Sequence, residues 1–277
     1  MKNIKLLFSL ILTALISAGI YSCREVPVTG RKQFSLMPDA QVNAQALQAY
    51  NQFLDENKSV VLPDMNRETQ RIKSIGQRIS AAVMEHSRQT NYYDRVKDFK
   101  WEFNVVDDKA VNAWCMPGGK VVFYTGILPV CQNDDAIAIV MGHEIAHAVA
   151  GHGGERMSQT LAAQGFLTLG QVGDAIAQKP SLMRQIALQA AGAGTQLGLL
   201  AYSRQHESEA DKIGLIYAAM AGYNPDESVA FWKRMAALSN GQKPPELLST
   251  HPSDNRRIAD LQKQIPEVKA KYYKSRN

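Results

Sequence analysis

A five-residue motif in the middle of the chain, His143-Glu144-Ile145-Ala146-His147, has the residue types and the spacing of a metal site. Residues four apart on a helix lie on one face, so both imidazoles can reach one zinc ion. Glu144 lies beside them and can accept a proton from the attacking water without binding the metal itself. The motif therefore predicts one Zn²⁺ ion held by His143 and His147, with Glu144 as the general base of a hydrolytic reaction.

A catalytic zinc ion needs a third protein ligand, and two arrangements compete for this role. The metzincin pattern requires Gly and His at the positions where this chain has Ala150 and Gly153. In the gluzincin pattern the third ligand is a Glu on a later helix, with an Asp one turn beyond it, and Glu207 and Asp211 have that spacing. Glu209 is only two residues away, and spacing alone does not exclude it as the ligand.

The elements that must position these residues are mostly helical. Asn133 followed by Asp134 and Asp135 predicts the start of the motif helix, since a capping side chain and two carboxylates favour a helix N-terminus. Apolar residues at helical spacing predict two earlier helices, and alternation predicts a small sheet with a hairpin, so the expected fold is α+β. The helical residues are Val42, Ala46, Leu47, Tyr50 and Phe53, then Ile72, Ile75, Ile79 and Val83; the strands lie near Trp101–Val105, Val111–Met116 and Lys120–Thr125; Asn224-Pro225 predicts one more helix start.

The segment from Ser203 to Asp211 reads S-R-x-x-E-x-x-A-D, and with other segments it resembles the HtpX/CAAX-protease-like zinc metallopeptidases, in their periplasmic lipoprotein branch. The resemblance implies a zincin-like (gluzincin) domain with zinc ligands His143, His147 and Glu207. It also implies that Glu144 is the general base and that Asp211 orients a ligand histidine, which we expect to be His143. The other similar segments are Pro27-Val28-Thr29-Gly30-Arg31, Asn112-Ala113 with Pro117-Gly118-Gly119, and Thr250-His251-Pro252 with Arg256.

The sequence offers two candidates, His251 and Arg204, to stabilise the oxyanion of the reaction. Because His251 precedes Pro252 in a predicted loop, it could assist catalysis, bind the zinc in a latent state, or simply pack against its neighbours. We expect Glu144 to take a proton from the attacking water and to return it to the leaving amine.

Asn112 and Ala113 begin a strand that is expected to line the cleft, where an extended substrate could pair with the strand edge. The alternative is that the Pro-Gly-Gly hairpin is merely a turn. Edge pairing depends on backbone shape, so it predicts a preference for unfolded or flexible polypeptide segments. The leading hypothesis for the whole chain is an endopeptidase of the cell envelope that cleaves unfolded or misassembled proteins in protein quality control. The alternative function is a zinc-bearing chaperone or binding lipoprotein whose proteolysis is latent or minor.

The N-terminus resembles a lipoprotein signal sequence, since Lys2 and Lys5 precede an apolar run that ends close to Cys23. An ordinary signal peptide or an uncleaved anchor is the alternative. We expect Cys23 to be lipidated and to attach the protein to the inner or outer membrane of the bacterial cell envelope, facing the periplasm. The expected domains are a signal peptide at 1–22, a membrane tether at 23–40 and a zinc metallopeptidase domain at 41–277.

The remaining composition gives little sign of another partner. A formal net charge of +5 without a Lys/Arg block or an RNA-binding aromatic signature argues against nucleic acid. Cys115 and Cys131 could form one disulfide or stay as two buried thiols. Three histidines have no assigned role and are expected at the surface or in packing: His86, His152 and His206.

Overall fold

The computed structural model of the protein describes residues 23–162, 203–238, 245–251 and 255–275, without the side chains of Cys23 and Asn255. The predicted signal peptide, the site of lipidation at Cys23, the Gly- and Ala-rich stretch 187–201 and Pro252 therefore lie outside the described residues or side chains. No helix in the described ranges combines the length and the apolar character that crossing a membrane requires.

Helices dominate the described chain, as the sequence predicts. The helices are α1 (Asp39–Glu56), α2 (Arg67–Arg88), α3 (Tyr93–Val96), α4 (Leu128–Cys131), α5 (Asp134–Ala150), α6 (residues 152–162), α7 (Arg204–Met220), α8 (Glu227–Ala237), α9 (Glu246–Thr250) and α10 (Asn255–Tyr272), with a 3₁₀ turn at Thr125–Ile127. The strands are β1 (Cys23–Glu25), β2 (Lys32–Phe34), β3 (Glu102–Val106), β4 (Ala113–Met116) and β5 (Lys120–Tyr124).

The larger sheet has three strands in the order β3-β5-β4. β3 runs parallel to β5, and β4 and β5 form the predicted antiparallel hairpin, in which Ala113 faces Phe123 across the ladder. Gly118 and Gly119 turn this hairpin with positive φ angles of 86°, a conformation that glycine adopts without steric cost. β4 is therefore at the edge of this sheet.

The motif helix α5 is the centre of the fold. Every residue from Ala136 to Ala150 is buried, which is the pattern of a helix surrounded by other elements. The side chain of Asn133 accepts a hydrogen bond from the amide of Ala136, so the predicted N-cap is confirmed. Gly151 ends the helix in the left-handed conformation and lets α6 begin in a new direction.

α5 and α7 touch through their backbones at Gly142 and Gly214. A Cβ atom added to Gly142 would lie 2.6 Å from the carbonyl oxygen of Gly214, and one added to Gly214 would lie 2.6 Å from the amide nitrogen of His143. Glycine is therefore required at this crossing, because backbone atoms cannot move aside as a flexible side chain can. The crossing places the first histidine of the motif directly beside α7.

Residues 23–40, the predicted tether, contain the β1–β2 hairpin, which packs on the domain. The side chain of Gln33 is buried and donates hydrogen bonds to the carbonyl of Ala150 (2.8 Å) and to Glu155 (3.0 Å). Arg31 forms ion pairs with Glu155 and Glu209. The folded part of the chain thus begins before residue 40, and the location of the signal-peptide boundary stays a prediction.

Two local predictions are resolved by the structure. Cys115 and Cys131 are free, buried thiols rather than a disulfide. The helix predicted to start at Asn224-Pro225 begins at Glu227, because the Asn224 side chain accepts a hydrogen bond from the amide of Asp226 and holds these residues in a turn before the helix.

Gly214→Ala should lower the free energy of unfolding by about 1–3 kcal/mol, because its Cβ must push two helix backbones apart. Urea denaturation of the purified protein measures the change. The control is Gly153→Ala on α6, whose Cβ would meet only the Pro117 side chain at 3.8 Å. Equal losses of stability in the two variants would contradict the proposed close crossing.

Candidate active site

Four buried side chains converge between α5, α7 and the end of α9. One donor atom from each of His143, His147, Glu207 and His251 lies within 4.8 Å of the other three. The two motif nitrogens, His143 Nε2 and His147 Nε2, are 3.1 Å apart. The Glu207 carboxylate is 3.4 Å from each of them, through Oε2 to His143 and through Oε1 to His147. The structure thus brings together the three side chains predicted as metal ligands.

This donor set fits a zinc ion on geometric grounds. Two ligand atoms bound to a tetrahedral zinc ion at 2.0–2.1 Å are about 3.3 Å apart. The spacings of 3.1 and 3.4 Å match that value. The donors are also of the types that zinc prefers, imidazole nitrogen and carboxylate oxygen.

The ionisation states suit metal binding. Burial lowers the pKa of His147 well below its usual value, so its ring is neutral and offers a lone pair. Burial opposes ionisation of Glu207, but its contacts with His143, His147 and His251 hold its pKa well below the usual range. Burial and Arg257 oppose protonation of His143, but the carboxylates of Asp211 and Glu207 raise its pKa above the usual value, so zinc must displace a proton more readily held there than on His147. The site therefore presents a neutral His147 ring and an ionised Glu207 carboxylate, which are the forms that bind a cation.

Glu144 lies beside the donor group in a different electrostatic environment. Burial raises its pKa to about 7. Its Oε1 atom has no hydrogen-bond partner in the part of the chain that the structure describes, and His251 Nε2 is 3.6 Å away. A carboxyl group with a pKa near neutrality can both take and return a proton at neutral pH, as general base catalysis requires.

His251 is part of the cluster rather than a distant loop residue. Its Nδ1 atom is 3.0 Å from Glu207 Oε1 and 3.2 Å from His143 Nε2. α9 is held near β4 by a hydrogen bond from the Leu247 amide to the carbonyl of Val111. This position serves either of two roles considered for His251, in catalysis or as a further ligand.

Asp211 holds His143 from the side opposite the cluster. The Nδ1 atom of His143 donates a hydrogen bond of 2.9 Å to Asp211 Oδ1, the contact expected from the sequence. This bond leaves the lone pair on Nε2, the atom that faces His147 and Glu207.

Arg257 on α10 is a site residue that the sequence analysis missed. It donates two hydrogen bonds of 2.7 Å to Asp211 and forms an ion pair of 3.1 Å with Glu207. Its guanidinium lies 3.4 Å from the ring centroid of Trp232, a cation–π contact. A signal was available: Arg257 begins the buried stripe of α10, which continues through Leu261 and Ile265, whereas Arg256 is exposed.

Arg204 and Glu209 lie outside the donor group. Arg204 is exposed in the first turn of α7 and lines a cavity with Glu207 and Asp211, and its role at the oxyanion stays a prediction. Glu209 was the rival ligand by spacing, but its carboxylate contacts Thr29, Arg31 and His152 instead. A helix turns by about 200° over two residues, so Glu207 and Glu209 point to different sides of α7.

The three histidines without an assigned role are all buried, so the surface alternative is wrong for them. His86 contacts Tyr92, while His152 and His206 belong to a polar network behind His147. The predicted substrate strand begins as expected, with Ala113 as the first residue of β4 and Asn112 just before it. Asn112 and Ala113 are both buried.

Comparison with known proteins assigns this arrangement to a family. Residues 66–265 match the peptidase family M48. The chain belongs to peptidase family M48. It is therefore a metalloendopeptidase of a zinc-dependent family, with the mostly helical zincin-like fold that the sequence predicted. The narrower resemblance to a periplasmic lipoprotein branch is not shown.

Similar proteins come from eukaryotes and bacteria. The mitochondrial metalloendopeptidase OMA1 of Schizosaccharomyces pombe is 32% identical over 95% of this M48 chain and 74% of its own length. The Saccharomyces cerevisiae protein of that name is 34% identical over 82% of the chain and 64% of its own length. The beta-barrel assembly-enhancing protease of Escherichia coli is 27% identical over 73% and 39%. The chain thus spans less than two thirds of the second and third relatives.

The expected location, a lipid-anchored protein facing the bacterial periplasm, is contradicted by these relatives. Mitochondrial metalloendopeptidases match at 31–35% identity, whereas the bacterial assembly-enhancing proteases match at 27%. The expectation rested on two lysines, one apolar run and one cysteine. An apolar segment behind basic residues describes entry into a membrane system in general, so this pattern carries too little information to specify a compartment.

Proposed function

We propose that this M48 chain is a zinc endopeptidase that cleaves unfolded, flexible or misassembled polypeptides in protein quality control. One observation carries the chemistry: His143, His147 and Glu207 converge at zinc-ligand spacings while the Glu144 carboxyl lies beside them. Three protein donors and an adjacent acid are the components of a catalytic rather than a closed structural zinc site.

The roles follow from the positions of the side chains. His143, His147 and Glu207 would hold the ion, which when bound supplies Lewis acidity to a peptide carbonyl and to water. Glu144 accepts a proton from the attacking water, and its raised pKa lets it return that proton to the leaving amine. Asp211 and Arg257 keep His143 and Glu207 in place for this chemistry.

His251 supports the reaction from the other side of Glu144. Its Nε2 atom faces Glu144 Oε1 and its Nδ1 atom faces Glu207 Oε1. From there the ring can donate a hydrogen bond to an oxyanion or occupy a ligand position in a latent form of the site. Arg204 has no part in this proposal.

The outer edge of β4 is suited to bind an extended substrate through backbone hydrogen bonds. Within the described residues, β4 pairs on one side with β5. Burial raises the pKa of the Cys115 thiol on β4, and the nearby Glu144 carboxylate raises it further, so Cys115 lies close to the reacting groups. A peptide that pairs with the outer edge of β4 would thus run past the reacting groups. Binding through the backbone requires a segment that is not already folded.

An apolar groove extends this path beyond β4. Met116, the last residue of β4, and Pro117 after it form one wall of a cavity of about 930 Å³ between α1 and α6. Flexible methionine side chains adapt to different apolar partners. We assign the groove to apolar side chains of the same extended substrate, since unfolded polypeptides expose such residues. Other residues of the groove are Met37, Val42, Met157 and Leu161.

The names of the relatives agree with this proposal. A bacterial relative is named for enhancing β-barrel assembly, and the mitochondrial relatives are named as metalloendopeptidases. The alternative, a zinc-bearing chaperone with latent proteolysis, uses the same groove but does not need the Glu144 carboxyl next to the donor group.

Glu144→Gln should lower kcat for an unfolded casein substrate at least about 100-fold, because the amide cannot take the proton of the attacking water. The variant should keep the zinc content and the unfolding midpoint of the parent protein, since Glu144 is not among the ligands. Casein cleavage, zinc analysis and thermal unfolding measure the three quantities. Undiminished cleavage by this variant, or a parent protein that binds zinc without cleaving casein, would refute the enzymatic role.

Met157→Glu should raise KM about fivefold for an unfolded reporter peptide rich in Leu and Phe, with kcat unchanged, because a charge in the groove removes roughly 1 kcal/mol of apolar contact. Steady-state kinetics on that peptide provides the measurement. Met65→Glu is the matched control, since Met65 is 82% exposed and lies outside the groove. The same KM in both variants would mean that the groove does not bind the substrate.

A further inference from the structure

Behind the cluster, His147 contacts a second buried histidine. The Nδ1 atoms of His147 and His152 are 2.9 Å apart, and both side chains are almost completely buried. His152 follows the turn at Gly151 as the first residue of α6, so the chain itself returns this ring to the face of α5 opposite the donor group. The contact therefore involves the nitrogen of His147 that does not face Glu207.

His152 is fixed in turn by Glu209. The Nε2 atom of His152 donates to Glu209 Oε2 at 3.3 Å. Glu209 also accepts hydrogen bonds of 2.7 Å from the Thr29 hydroxyl and from Arg31 Nε. Both of these donors belong to the turn of the N-terminal hairpin, which thus reaches the rear of the metal site.

Arg31 is the centre of this rear network. Besides Glu209, its guanidinium binds Glu155 in a bidentate pair with distances of 2.8 and 2.7 Å. Glu155 accepts a further bond of 3.0 Å from His206, whose ring stacks on His152 with 4.4 Å between centroids. His152 is therefore held at its edge by Glu209 and on its face by His206.

We propose that His152 is a positioning residue for His147, and that Arg31 of the N-terminal hairpin holds it there through Glu209. The inference rests on the proposed zinc site but concerns how tightly the site binds metal. It gives His147 the support that Asp211 gives His143, with an imidazole in place of a carboxylate.

The hydrogen bonds that connect His147, His152 and Glu209 are consistent with one set of imidazole tautomers, in which each histidine donates to the next residue. A neutral imidazole has one donor and one acceptor nitrogen. If His152 donates from Nε2 to Glu209, its Nδ1 is the acceptor for the Nδ1–H group of His147. The lone pair of His147 is then on Nε2, facing the donor group, and the ring cannot turn away without losing this bond. Partners of this kind typically contribute 10- to 100-fold to metal affinity.

The test measures zinc affinity, not cleavage, in the full chain carrying Glu144→Gln, so that self-digestion does not interfere. Competition with a chromogenic chelator gives the dissociation constant of zinc. His152→Leu should weaken binding about 10- to 100-fold, because Leu fills the space but cannot accept the His147 hydrogen. His152→Asn should recover most of the affinity, since its Oδ1 can lie near the position of the imidazole Nδ1.

Arg31→Met and His86→Leu complete the set. Arg31→Met should weaken zinc binding by a smaller factor than His152→Leu, because it acts through Glu209. His86 is a buried histidine bonded to Tyr92 at a distance from the cluster, so its loss should reduce stability and leave zinc affinity unchanged. A cobalt-loaded sample should also show a changed visible absorption spectrum in His152→Leu and an unchanged one in His86→Leu.

The outcomes separate this inference from the proposed function. If the Glu144→Gln parent binds no zinc, the proposed function fails together with the inference. If the parent binds zinc and His152→Leu binds it equally well, only the positioning role is wrong. If His152→Leu does not fold, Arg31→Met decides: a zinc affinity equal to that of the parent overturns the inference. A weakening by Asn equal to that by Leu also overturns it.

Discussion

The backbone contact between α5 and α7 at Gly142 and Gly214 is the constraint on which the site depends. His143 follows Gly142 directly, and Asp211 lies about one turn before Gly214, so close approach of the helices brings these two side chains within a hydrogen bond. Glu207, another turn earlier, then faces both motif histidines. The proposed ligands come from distant parts of the sequence, and two residues without side chains set the distance between them.

The second constraint is electrostatic. Glu144, Glu207 and Asp211 are buried carboxyl groups within one cluster, and ionised carboxylates in an apolar interior are costly unless cations compensate them. Arg257 supplies one positive charge against Asp211 and Glu207. A divalent zinc ion would supply two more, so the proposed ion would complete the charge balance of the core as well as the chemistry. Metal binding and stability of the fold are therefore expected to be coupled.

The motif helix and its two histidines were predictable from the sequence because the signals for them are local. The motif spacing fixes which face of a helix carries the histidines, and Asn133 shows its start. The third ligand was harder, since Glu207 and Glu209 have equal chemistry and only the rotation of α7 against α5 separates them. Arg257 was missed because its partner Asp211 is distant in sequence. The contact of His152 with His147 was missed because the chain changes direction at Gly151 between them. The segment with the β1–β2 hairpin was predicted to be a membrane tether, because Pro27, Gly30 and Pro38 disfavour regular structure there. Nothing in the sequence indicated that Arg31 would contact two buried carboxylates.

The central claim is that imidazole and carboxylate groups from α5 and α7 bind one zinc ion. X-ray absorption at the zinc edge of the purified protein tests it most directly. The account predicts one zinc per chain, with nitrogen and oxygen neighbours at about 2.0–2.1 Å and the outer-shell scattering of at least two imidazoles. A sulfur neighbour at about 2.3 Å, which would implicate a thiol such as Cys115, or a chain that holds no zinc, would contradict it.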